Sequence, residues 1–445
     1  MRDWRKREPI VIVSGRGPIL RDAHGKEYLD ANSSIWVNLH GHGHPAINAA
    51  ITRQLGKIAH SSALGFANEP ASLLAAKLAA LAGYAKTNKL KWVFFGDDGS
   101  TSIEAALKMA WQFALRTGRS RRPKFLSLQS AYHGDTVGAM SLGHIDLFHK
   151  THAGLIFKTD SAPAPYCYRC PFNRAQPERA DARLYRQCHW ECLDVLEQKF
   201  ARQKKKGNPY AAFVFEPLMQ GSAGMVPQPQ GWLGRAARVA RAHGALLIAD
   251  EVMTGFGRTG PMFACQKEAV SPDLMALAKG MTGGYLPMGA TLATQPIFDV
   301  YLGRYDEFKT FFHGHSFTAN QLGASAALAS LRLLQSAASV RARGRLEKAL
   351  AEALPTLWSL PNVGDVRQVG LIAGVELVKN WKTREPIPMK ERAGIHVCDA
   401  MARRGVLTRP VGNVIVLMPP YCTTPAQARR IVSALRESVQ EVLFL

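Results

Sequence analysis

From residue 91 onward, short continuous apolar runs alternate with longer stretches of helical spacing. Trp92-Val93-Phe94-Phe95 is a run of strand length, and Ile103 to Leu115 carries its apolar residues at helical intervals. Strands are predicted again at Lys124 to Leu128, Ala211 to Phe215, Ala245 to Ala249, Leu274 to Ala278 and Gly289 to Thr294, with a helix over Trp232 to His243. Continuous rather than alternating apolar runs mark strands covered on both faces. Strands separated by helices predict an α/β fold with a large, mostly parallel sheet. A long Ala/Leu helix, Gln321 to Gln335, leads out of this region.

The two ends read differently. Short strands at Ile10 to Val13, Pro18 to Leu20 and Tyr28 to Asp30 surround a turn at Asp22 to Gly25. Helices follow at Ala46 to Ile58, opened by Pro45, and at Pro70 to Ala82. Toward the C-terminus a strand is predicted at Val369 to Leu377. Two shorter ones, 407–410 and 414–418, flank the hairpin signal Gly412-Asn413. Thr424-Pro425 has the form of a cap and first-turn proline for a closing helix to Val442. These patterns divide the chain into an N-terminal segment (1–45) packing on a small domain, a large α/β domain (46–334) and a small α+β domain (335–445).

Composition narrows the class. The chain has 445 residues, 47% hydrophobic and 20% charged, as in a soluble globular protein with a sizeable core. No apolar run has the length of a membrane span, and the charged start Met1 to Arg7 is not followed by a signal-type apolar stretch, so a cytoplasmic protein is expected. The net charge of +22 raises nucleic acid as a partner. Its densest clusters, at Arg5-Lys6-Arg7, Arg119 to Arg122 and Lys204 to Lys206, fall at the terminus or in connections, without a nucleic-acid motif. Anionic substrates or a solvated basic surface account for the charge, and neither nucleic acid nor membrane is expected as a partner. Four of seven cysteines fall as Cys167-x2-Cys170 and Cys188-x3-Cys192, a zinc-like spacing; the second pair lies in a helix predicted from Tyr185 to Phe200. Free thiols are the expectation, and no metal. His40, His42 and His44 sit in a Gly-rich loop at a spacing that makes no helical ligand pair.

Candidate chemistry gathers at the predicted strand ends. Lys279 closes an apolar run, where desolvation disfavours its charge; an amine tolerated there suits Schiff-base chemistry. Asp250 closes another run. Tyr132 follows a third and can stack on a planar ring. Gly96 to Ser102, between strand and helix, can present N–H groups and hydroxyls to a phosphate. Phosphate turn, aromatic, carboxylate and lysine at neighbouring strand ends are what pyridoxal 5'-phosphate requires.

The run Asp250-Glu251-Val252-Met253-Thr254-Gly255-Phe256-Gly257-Arg258-Thr259-Gly260, followed by Pro272-Asp273 and Lys279-Gly280, resembles the signature of class III aminotransferases. Ser33 to Trp36, Tyr132 to Met140, Gly283 to Pro287, His313 to Asn320 and Arg409 to Pro420 resemble the branch that aminates 8-amino-7-oxononanoate in biotin synthesis. The likeness runs from about Ile12 to the end. It implies fold type I, pyridoxal 5'-phosphate as cofactor, and a homodimer with shared active sites acting on small molecules. Lys279, Asp250 and Tyr132 are then the catalytic set. Lys279 links to the cofactor, Asp250 holds its ring proton, and Val252 and Tyr132 lie against its faces. Gly99 and Ser100 bind its phosphate, with His315 and Ser316 reaching the neighbouring subunit's. Ile35, Trp36, Tyr132, Lys279 and Gly314 contact substrate, and Arg409 takes a substrate carboxylate.

Some positions depart from the family. Ile35 replaces the first of two usual tryptophans, Val416 stands where some members have tyrosine, and His315-Ser316 replaces Pro-Thr. An aromatic N-terminal cap over the substrate is not evident, and Trp4 is the candidate to replace it. These changes leave the amino donor open between S-adenosylmethionine and lysine. A general ω-amino acid or diamine transaminase, and more distantly a non-catalytic basic binding protein, are the alternatives.

Overall fold

The strands Leu246–Asp250, Leu274–Leu277, Ala212–Phe215 and Phe125–Leu128 are buried at every position, as continuous apolar runs require. They form the middle of a seven-stranded sheet in the computed structural model, which describes residues 8–444. Its order is Leu90–Gly96, Gly289–Thr294, Leu274–Leu277, Leu246–Asp250, Ala212–Phe215, Phe125–Leu128 and Asp160–Ala162. Gly289–Thr294 is antiparallel to both neighbours, while the remaining pairs are parallel. The C-terminal ends of the parallel strands therefore open on one side, where Gly96, Asp250 and the residues just beyond Leu128, Phe215 and Leu277 come together. Trp4 and Arg5-Lys6-Arg7 lie outside the described residues.

The helix Gly99–Arg116 packs on this sheet. It begins four residues earlier than its apolar spacing predicts, because Asp98 caps it: the Asp98 carboxylate accepts from Thr101 N–H at 2.8 Å, and the Asp98 N–H donates to Thr101 Oγ1 at 3.0 Å. Gly99 and Ser100 are thus its first turn rather than a free loop.

Besides the two-stranded pair Met219–Gln220 and Val226–Pro227, two smaller sheets are separate from the large one. In one, the antiparallel strands Ile12–Arg16, Ile19–Asp22 and Glu27–Asp30 are joined by Val406–Leu407, which pairs parallel to the third strand. The chain's first strands are thereby tied to its C-terminal part. The other sheet holds Val363–Val369, Ile372–Asn380, Val414–Leu417 and Pro410–Val411, with Glu385–Pro386 at the edge of the second strand. The single strand predicted at Val369 to Leu377 is in fact a hairpin. Val369 ends one strand and Ile372 begins the next, with Gly370 at φ 61° making the reversal. Apolar residues continue across the turn, so hydrophobicity alone did not mark it.

The predicted helix from Tyr185 to Phe200 is also interrupted. Trp190 takes φ 71°, a short helix Ala182–Tyr185 precedes it, and the long helix is Glu191–Lys205. Cys188 falls in the connection and Cys192 in the long helix. All seven cysteines are free, and among the described residues no three His, Cys, Asp or Glu side chains are grouped to hold a metal. The three loop histidines diverge. His40 meets Ser330 Oγ, His42 meets Asp30, and His44 accepts from Ala46 N–H at the start of Pro45–Leu55. No helix among the described residues is long and apolar enough to cross a membrane.

A buried ionic cluster fastens the smaller five-stranded sheet to the rest. Arg367 donates to Asp365 at 2.8 Å, to Glu376 at 2.7 Å and to the carbonyl oxygens of Met225 and Gly224. Arg169 donates to the other Glu376 oxygen at 2.6 Å. Replacing Arg367 by methionine leaves buried Asp365 without its cation and Glu376 with Arg169 as its remaining one. It should cost about 3–5 kcal/mol of stability, read as a lowered denaturant midpoint against Arg169→Met.

Candidate active site

A cavity of about 480 Å³ opens at the C-terminal ends of the large sheet's strands. Trp36, Gly99, Ser100, Tyr132, Asp250, Val252 and Lys279 line it, together with His133 and Glu216. Asp250 is the last residue of its strand, Glu216 lies one residue past Ala212–Phe215, and Lys279 lies two past Leu274–Leu277. Lys279 begins a tight turn at φ 42°, which carries its side chain out of the sheet. Its Nζ stands 5.2 Å from the centre of the Trp36 ring. The Tyr132 hydroxyl donates to Asp135 at 2.8 Å. Close approach of neighbouring side chains requires glycine at two positions. A Cβ on Gly99 would meet Val252 Cγ1 at 2.7 Å, and one on Gly134, at φ 129°, would meet Ser100 Oγ at 1.8 Å.

The charges in this cavity are coupled. Burial pulls the Lys279 pKa below the ordinary lysine value, and Asp250 and Glu216 only partly restore it. His133 Nδ1 and Asp250 Oδ2 are 2.7 Å apart, and both side chains are buried. Burial disfavours the charged His133 ring, but the bond to Asp250, its charge and that of Glu216 carry the pKa above the usual histidine value. Asp250 therefore keeps a proton donor on one oxygen, while its other oxygen accepts from Val252 N–H at 3.1 Å. Burial, with Asp250 adding to it, raises Glu216 to about 7.

This donor set fits pyridoxal 5'-phosphate. A buried amine of lowered basicity suits its carbonyl, and a buried carboxylate suits its ring nitrogen. The first turn of an 18-residue helix leaves the N–H groups of Gly99 and Ser100 without intrahelical acceptors, as a phosphate requires. Residues 1–439 match the family described as aminotransferase class-III. The chain belongs to the class III aminotransferases. It is similar to the adenosylmethionine-8-amino-7-oxononanoate aminotransferase of Geobacter sulfurreducens, at 46% identity over 99% of this chain and 94% of that protein. The crystal structure of the enzyme of the same name from Methanocaldococcus jannaschii superimposes with a TM-score of 0.90 at 38% identity, covering 99% of this chain and 95% of that one. An amine transaminase from an uncultivated Pseudomonas species, in its PLP-bound form, gives 0.89 at 32% identity over 98% and 96% of the two chains. The architecture is fold type I.

In this aminotransferase not every residue singled out from sequence reaches the cavity. Ile35 is half exposed beside Trp36. Gly314 and Ser316 are exposed, and the Ser316 carbonyl accepts from His60. His315 lies 3.1 Å from Asp97 at the cavity's edge, without hydrogen-bond alignment. Arg409 is exposed between the strands Val406–Leu407 and Pro410–Val411 and does not line the cavity. His133 and Glu216 were not singled out. The strand-end rule that found Asp250 also applies to Glu216, whereas nothing in the sequence joins His133 to Asp250.

Glu216 makes a pH prediction. From its ordinary value of 4.5 up to about 7, the folded state holds a proton that the unfolded chain has released. Its contribution to stability is complete below that window and is lost as pH rises through it. Glu216→Gln should flatten this part of the thermal-stability profile of the cofactor-free protein.

Proposed function

We infer that this chain transfers an amino group to 8-amino-7-oxononanoate, giving 7,8-diaminononanoate, with pyridoxal 5'-phosphate bound beside Lys279. The observation that carries the reading is the 46% identity to the Geobacter relative over 99% of the chain. The bound cofactor supplies an electron sink and a carrier for nitrogen. Lys279, its basicity lowered by burial, would serve as the amine that takes a proton from the donor's carbon and hands it to the cofactor within the first half-reaction, and that moves a proton in the opposite direction in the second. Asp250, held by His133, keeps a proton at the ring nitrogen. Gly99 and Ser100 bind the phosphate, and Val252 and Tyr132 cover the ring. Trp36 shapes the substrate wall from within this chain's cavity. Ile35 and Arg409, which stand outside that cavity in the single chain, extend the site outward, with Arg409 taking the carboxylate of the long oxo acid, and Gly314 reaches the neighbouring subunit's site.

The active protein is a homodimer in which His315 and Ser316 reach the phosphate held by the neighbouring subunit. Tyr305, Phe308, Phe312 and Phe317 support this reading, since the single chain leaves all four exposed around those residues. Sedimentation should give a dimer, and a monomer active at low concentration would contradict the shared site.

Lys279→Ala should lose at least about 10³-fold in kcat while retaining the fold. S-adenosylmethionine and lysine, presented separately in half-reactions followed by absorbance, assign the amino donor. Failure to aminate 8-amino-7-oxononanoate, together with good turnover of β-alanine or putrescine, would instead identify a general ω-transaminase.

A further inference from the structure

Ser33, Ser34, Ile35 and Trp36 all have positive φ, at 48°, 48°, 65° and 69°. A left-handed turn of four non-glycine residues costs roughly 1–2 kcal/mol per residue, and a β-branched residue such as Ile35 is especially disfavoured there. The turn closes its own backbone bonds, from Trp36 N–H to Asn32 O at 2.9 Å and from Val37 N–H to Ser33 O at 3.0 Å. It ends at Trp36, whose ring faces the Lys279 amine.

Something outside the turn must stabilise it, and Asp30 is the hub. Asp30 Oδ1 accepts from the N–H groups of Asn32 at 3.0 Å and Ser34 at 3.2 Å. Its Oδ2 accepts from Ser34 Oγ and His42 Nε2, both at 3.0 Å. The direction of the histidine bond is set by its neighbours. Gly41 N–H donates to Asn38 Oδ1 at 2.8 Å, which turns the Asn38 amide so that its Nδ2 donates to His42 Nδ1 at 3.0 Å. His42 must then carry its proton on Nε2, facing Asp30. At the other end Asn32 Oδ1 accepts from Trp36 Nε1–H at 2.9 Å and fixes the indole. Arg258, fully buried, donates to the carbonyl oxygens of Asn38 at 3.2 Å and Pro419 at 3.1 Å, closing the segment from behind.

We propose that Asp30 and His42 are positioning residues: the directed relay Gly41–Asn38–His42–Asp30 holds residues 33–36 in their left-handed turn and so fixes Trp36 in the wall of the substrate cavity. Neither side chain touches that cavity, and both act through the indole. The kinetic arm of the test rests on the substrate reading above; the spectroscopic arm does not.

The near-ultraviolet circular dichroism of the protein minus that of its Trp36→Phe variant isolates the immobilised indole. Against His42→Ala and Asp30→Asn backgrounds this difference should fall by about half or more, because the ring regains rotamer freedom. His42→Gln, which keeps an N–H donor at similar reach, should retain most of it. In turnover, His42→Ala should raise substrate KM about tenfold with kcat within about threefold, and in a Trp36→Phe background the same change should shift KM less than about twofold. A full-amplitude difference spectrum in His42→Ala, or a KM effect that persists without Trp36, overturns the proposal. If Asp30→Asn does not fold, His42→Ala decides alone, since Asp30 keeps its bonds to the turn in that variant. Failure of the parent to use 8-amino-7-oxononanoate would sink the substrate reading and leave the spectroscopic result standing.

Discussion

A lysine amine at the edge of a dry seven-stranded sheet must either lose its proton or find counter-charge, and the site is organised by that competition. Burial pushes Lys279 toward the neutral amine, while Asp250 and Glu216 pull the other way. The carboxylates are themselves constrained. Asp250 is engaged by His133, and Glu216 is carried to about 7 by burial. Lys279 thus feels Asp250 and Glu216, while Glu216 in turn feels His133 and Asp250.

The sheet supplies the coordinates for this set. Parallel strands all end on one side, so residues far apart in sequence emerge within one cavity. The capped helix Gly99–Arg116 brings two free N–H groups to the same opening. Trp36, in a further part of the wall, comes from a strained turn. Residues 33–36 would not hold a left-handed conformation by themselves, and Asp30, His42, Asn38 and Arg258 surround them with bonds. That bracing is built from the N-terminal strands, which are in turn paired with Val406–Leu407 from the C-terminal part. Both ends of the chain thus support one face of the cavity.

Much of the fold and of the site is legible in the sequence. Continuous apolar runs marked the buried strands, because a strand covered on both faces has no polar side to interrupt it. Lys279, Asp250, Tyr132 and the Gly99-Ser100 turn stood out because polar groups ending such runs are costly unless used, and all of them line one cavity. Boundaries were less legible. The hairpin at Gly370 and the break at Trp190 lie within apolar or helical patterns that run through them, since side-chain polarity does not record a reversal of φ.

What only the tertiary structure decided is which distant groups meet. His133 reads as one more residue of a motif until the fold places it 2.7 Å from Asp250. His40, His42 and His44 read as one cluster until each takes a different partner. Ser33 to Trp36 carries no glycine to announce a left-handed turn. The sequence by itself determined the layered α/β architecture and the chemical identities at its strand ends, because these follow from local periodicity and desolvation cost. Hydrogen bonds between residues remote in sequence depend on the packed fold, and only there are the proton on His42, the company of Asp250 and the place of Trp36 settled.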